Sequence, residues 1–97
     1  MADNDTIVLQ DLGETVTLID VKYREASPAA RFEMKENRDK ALNEYGAARD
    51  KLIADGVICT DQQVIEMRKL KAEVEHAADT QMLIRAVAQV ASFIVTL

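Results

Sequence analysis

Apolar side chains recur along this chain with the period of a helix. Within residues 6–26, Val8, Leu9, Leu12, Val16, Ile19 and Tyr23 share one arc of roughly 100° when successive residues are set about 100° apart. The same stretch is rich in β-branched residues, and Asp11-Leu12-Gly13-Glu14 offers a turn, so a β-hairpin is the competing reading. Strand alternation fails at Leu18 and Ile19, which favours the helix.

Ser27-Pro28 punctuates the chain. Proline disfavours helical geometry in the residue before it and suits the first position of a new helix that Ser27 can cap. The second helix, 28–54, carries the stripe Ala30, Met34, Ala41, Tyr45, Ala48 and Leu52, with Leu42 and Ile53 on its flank and Phe32 opposite. Gly56 supplies the left-handed residue that ends it. Thr60-Asp61-Gln62-Gln63 is a capping box, and Cys59 and Val64 have the spacing of a hydrophobic staple, which predicts a tight connection between antiparallel neighbours.

From Asp61 to about residue 96 the pattern predicts a third helix with two apolar lines. Met67, Leu70, Val74, Ala77, Gln81, Ile84, Ala88, Ala91 and Val95 form a heptad seam in steps of three and four. Ile65, Ala72, His76, Leu83, Val87, Val90 and Ile94 lie about 120–140° away round the wheel. A restart with a bend at Asp79 and Thr80 is the alternative. The expected fold is therefore all-α and a single domain, 1–97. Residues 28–54 and 61–96 form an antiparallel hairpin with the N-terminal helix laid across it, giving a three-helix bundle that assembles into an oligomer. The seam closes the hairpin, and the second line is the expected interface, carried by Ile65, Leu83, Val87, Val90, Phe93 and Ile94.

Composition narrows the partners. A chain of 97 residues buries about 60–70% of its unfolded surface, so assembly would help it. Its 48% hydrophobic share contains four aromatic residues, which suits helix-on-helix packing of aliphatic side chains. The net charge of −5 is concentrated in residues 1–20, which hold Asp3, Asp5, Asp11, Glu14 and Asp20 and no Lys or Arg, while the rest balances at 12 of each sign. With no basic stripe, neither nucleic acid nor an anionic membrane is the expected partner. The N-terminus has no basic start and apolar run of a secretory signal, and the lone Cys59 cannot close an internal disulfide, so a cytoplasmic location is expected. Residues 82–97 are apolar but short of the ~20 residues a membrane span needs, and Arg85 and Gln89 interrupt them; a chain continuing past Leu97 would change that count.

Two constellations carry candidate chemistry. Glu73-Val74-Glu75-His76 contains a Glu-x-x-His spacing that resembles the metal-binding repeat of di-iron carboxylate bundles. Those bundles use it twice; here it occurs once, so a metal site needs a dimer, with Glu44 as a further carboxylate. Helical geometry turns both Glu73 and His76 away from the seam, so the bland reading is a surface or interface histidine. Cys59 precedes a helix start, whose positive end favours a thiolate, but His76 is the one histidine and the staple role is the simpler one. The glycines at 13, 46 and 56 are isolated and form no phosphate loop. The expected function is thus a non-enzymatic helical interaction module that self-associates or binds a partner helix, with no cofactor. A metal-binding oxidase or storage subunit using Glu73 and His76, and a membrane-associated protein using residues 82–97, are the alternatives.

Overall fold

The computed structural model describes residues 3–56 and 58–97, in which four α-helices occur and no strand. The first, α1 (Asn4–Glu25), settles the hairpin question for the N-terminal segment: Asp3 caps it by accepting the Thr6 N–H at 2.8 Å, and Val8, Leu12, Val16 and Ile19 are buried along one face. Its β-branched threonines fit because their hydroxyls donate back to the preceding turn, Thr15 to Asp11 O at 2.6 Å and Thr17 to Gly13 O at 2.9 Å. Ser27 caps α2 (Pro28–Ala54), accepting from Ala30 N at 3.2 Å, and Gly56, at φ 76°, follows the last turn. The expected stripe is buried at Ala30, Met34, Ala41, Ala48 and Leu52, with Tyr45 half-buried. The Tyr45 side chain reaches from α2 over Gly13 of α1; a Cβ there would sit 3.0 Å from its hydroxyl, so a side chain at 13 would make the tyrosine shift.

Beyond residue 60 the expectation of one helix needs correcting. The chain forms α3 (Asp61–Glu75) and α4 (Thr80–Ile94), with His76 ending the first and Asp79 capping the second through Met82 N at 2.8 Å. Ala77 and Ala78 are good helix formers, so local propensity does not impose the break. What drives it is burial. Reversal lets α3 bury the seam residues Met67, Leu70 and Val74, while α4 buries Val87, Val90 and Ile94 of the second line. The two lines are the inner faces of two helices, not two faces of one.

The hairpin partners also differ from expectation. Helices α2 and α3 do not pack as neighbours; α1 contacts α2 and α3, and α4 contacts α2 and α3, with α2 on α4 the most extensive contact. The arrangement is a four-membered ring whose hairpins are α1–α2 and α3–α4. Asn4 to Asp61, Asp11 to Arg68 and Glu14 to Lys71 are all 57 positions apart, so α1 and α3 run parallel in constant register. Lys51 Nζ donates to Leu97 O at 2.6 Å, so the C-terminal ends of α2 and α4 lie together and that pair is parallel too. The long dimension of 40 Å is the length of α2. The end of α2 and the start of α3 therefore stand diagonally across the bundle. Six extended residues reach about 20 Å, ample for the roughly 14 Å diagonal of a bundle with axes 8–10 Å apart, which is why a short loop did not mean adjacent helices.

The crossing is held from α1. The Asp5 carboxylate, 4% exposed, accepts the Ile58 N–H at 2.9 and 3.0 Å and the Cys59 N–H at 2.8 Å, and Asn4 donates to Cys59 O at 3.1 Å and to Asp61 at 2.9 Å. Thr60 and Gln63 complete the capping box in both directions. Removing a buried acceptor strands its donors at about 1–3 kcal/mol each. Asp5→Ala should therefore lower the unfolding free energy by about 2–4 kcal/mol, and Asp5→Asn, which keeps one acceptor oxygen, by about half as much. Urea titration checks both; an Asp5→Ala midpoint equal to the parent's would show that the crossing does not depend on this carboxylate.

Candidate interaction groove

The acidic N-terminal block is consumed by the bundle itself. On the α1–α3 side Asp11 faces Arg68 at 3.4 Å and Lys71 at 3.7 Å, and Glu14 pairs with Lys71. On the α1–α2 side Asp20 binds Arg38 and Arg24, and the Arg38 guanidinium also reaches Asp39 at 2.8 Å and lies 4.7 Å over the Tyr23 ring. The Lys71 hydrogen bond holds the Glu14 carboxyl below its ordinary range, Arg38 does the same for Asp20 and Lys35 for Asp39, while Glu14 raises the Lys71 ammonium.

The α3–α4 side is built differently. Its packing is the least extensive of the four helix contacts, and an open groove runs along it as two connected depressions of ≈ 540 and ≈ 550 Å³. Leu70, Ala86, Ala88 and Phe93 supply apolar lining; Glu66, Lys69 and Glu73 rise from α3, and Met82, Arg85, Gln89 and Ser92 from α4. Among the described residues none of Glu66, Lys69, Glu73 and Arg85 makes an ion pair. Charges of both signs thus border an apolar-floored trough without being used by the chain.

Few of the residues expected at an interface are available there. Val87 and Val90 are fully buried, Phe93 and Ile94 are 5% and 2% exposed, and Leu83 is half-buried, all within the chain's own core. Ile65 is exposed on the outer ridge of α3, and Phe93 alone of the buried set also lines the groove. The break at residues 76–79 is the cause, because it turned the second line inward against α2. Sequence reasoning passed over Glu66, Lys69, Arg85, Gln89 and Ser92. A signal was present: α4 holds one charged residue, Arg85, in a chain that is 30% charged.

Within a single chain the metal constellation is not brought together. His76 caps the end of α3 with its side chain 80% exposed and 3.9 Å from Glu75, Glu73 belongs to the groove wall, and Glu44 lies on α2, diagonal to α3. No group of three or more His, Cys, Asp or Glu that could hold a metal ion occurs among the described residues. For residues 82–97, α4 is 15 residues long with its apolar face in the core, and no described helix is long and apolar enough to cross a membrane.

Cys59 is a buried core residue, and its thiol pKa is pushed from 9.0 up to about 12 by burial and by the Asp5 carboxylate beside it. This is the reverse of nucleophile activation. A shift of that size leaves about a thousandfold less thiolate than in the unfolded chain, so iodoacetamide at pH 8 should label the native protein at least ~1000-fold more slowly than the urea-unfolded one. Linkage fixes the pH profile as well. The lowered carboxylates stabilise the fold above their ordinary values of 3.8 and 4.5, and that stability is lost as pH falls through the lowered values. Above pH 9.0 the unfolded thiol ionises while the folded one keeps its proton until about 12, so stability declines there too. The urea midpoint should be flat from about pH 5 to 8.5 and fall on both sides, and Cys59→Ala should remove the onset of the alkaline fall.

Compared with protein-family models, with curated proteins and with solved structures, the chain matches none.

Proposed function

We propose that this protein is a non-enzymatic interaction module of the cytoplasm, of the regulator, adaptor, chaperone or inhibitor type, which receives a partner helix in the groove between α3 and α4. One observation carries the reading: the groove has an apolar floor at Leu70 and Phe93 and unpaired charges on its rim, while the α1–α3 and α1–α2 sides are stitched by ion pairs. An amphipathic helix laid into a trough buries its apolar anchors on the floor and sets its polar flanks against the rim. The free thiol, protected by burial, suits a reducing compartment.

A displayed library of amphipathic helical peptides, selected against the full chain, tests the reading. Selected peptides should bind the parent protein and lose about tenfold or more in affinity on Ser92→Arg, which fills the groove beside Phe93, as expected for a substitution at the centre of an interface. Ala47→Arg, on the exposed face of α2, should leave binding within about twofold, as for a residue outside the interface. Selection that yields no binder, or binders indifferent to Ser92→Arg, would overturn it.

A further inference from the structure

Resting on the docking reading, we infer that the occupant of the α3–α4 groove is the same face of a second copy, the two faces meeting about a twofold axis that runs along the groove, so that α4 of each copy lies over α3 of the other. A twofold interface must be self-complementary, because each residue meets on the partner what the partner's copy meets on it. This face satisfies that condition in charge. Glu66 and Glu73 stand on its α3 wall with Lys69 between them, which leaves that wall net negative; Arg85 is the one charged residue of the α4 ridge, and none of the four has an ion partner among the described residues. Turning one copy over the other sets each Arg85 against the acidic wall of its neighbour, so one juxtaposition is made twice.

Net charge agrees with this face. The excess charge of −5 comes from residues 1–20, so two copies repel where α1 approaches α1. The groove rim carries no such excess: Glu66 and Glu73 are offset by Lys69 and Arg85, making it a neutral approach path. Apart from Arg85, the outer face of α4 exposes the uncharged Gln81, Gln89 and Ser92, which cost less to desolvate beside a second helix than charged side chains would. Size sets the strength. Two 15-residue helices give a footprint about 22 Å long and roughly 20 Å wide, near 900 Å² over both copies, below the ~1,200–2,000 Å² of stable complexes. An interface of that size belongs with weak, transient complexes.

Sedimentation equilibrium of the full chain from about 10 to about 300 µM, the range such an interface calls for, should show the mass rising from 10.8 kDa towards twice that value. Arg85→Glu alone, and Glu66→Arg with Glu73→Arg together, should each weaken association by about tenfold or more, a typical effect of reversing close charges. The decisive arm is an equimolar mixture of the two variant proteins. In the mixed pair position 85 of each copy again meets opposite charges at positions 66 and 73 of the other, with Lys69 unchanged throughout, so association should return to within about threefold of the parent. Urea midpoints of the variants should match the parent's, since these charges pair with nothing inside the chain. A parent monomeric at the highest concentration, a dimer indifferent to the charge reversals, or a mixture that stays monomeric would each overturn the inference. A monomeric parent that still binds selected peptides in a Ser92-dependent way would overturn the second copy alone and leave the docking reading standing; a charge-dependent dimer with no peptide binder would do the opposite.

Discussion

The fold depends on one carboxylate doing the work of a turn. A chain that passes diagonally across the end of a bundle leaves backbone N–H groups pointing into the protein, where an unmet donor is costly. Asp5 meets those of Ile58 and Cys59 from the first turn of α1. Because these residues lie more than 50 positions from Asp5, the bonds fix more than a loop: they place the start of α3 beside the start of α1, and the shared register of the two helices follows from that anchor.

Much of the local structure was legible in the sequence because its causes are local. Ser27-Pro28, Gly56 and the Thr60 to Gln63 box act within a few residues of themselves, and the single apolar arc of residues 8–23 outweighed a β-branched composition. The topology was not legible, and for physical reasons. The heptad seam of α3 continues numerically past His76, and Ala77 and Ala78 give no stop signal, so two inward faces belonging to two helices looked like surplus surface on one. Asp79 and Thr80 held the only local clue. The decision to reverse there is made by α2, which offers an apolar stripe that a straight helix could not cover with both lines.

The candidate site inverts the usual expectation about exposed hydrophobes. The large apolar residues of the second line, Val87, Val90 and Ile94, are satisfied internally, and what marks the α3–α4 side is a combination: charges without partners, as also occur on the outer face of α2, set here beside an apolar floor that packing left open. A residue's hydrophobicity is visible in sequence; whether a charge has found its partner is not. Asp11, Glu14 and Asp20 look no different on paper from Glu66 and Glu73, yet the first three are spent on holding α1 to its neighbours.

The two parallel helix pairs have an electrostatic consequence. Parallel helices set like ends of their macrodipoles side by side, an arrangement that antiparallel bundles avoid. Here those like ends carry residues of opposite sign. Asp5 and Asp61 stand where the positive ends of α1 and α3 converge; Lys22 reaches from the last turn of α1 to the Glu75 carbonyl, between two negative ends; and Lys51 reaches the Leu97 carbonyl where α2 and α4 terminate together. Charge placed at the tips of the helices, added to the ion pairs that run along the sides of α1 and α3, makes parallel neighbours tolerable in so small a bundle.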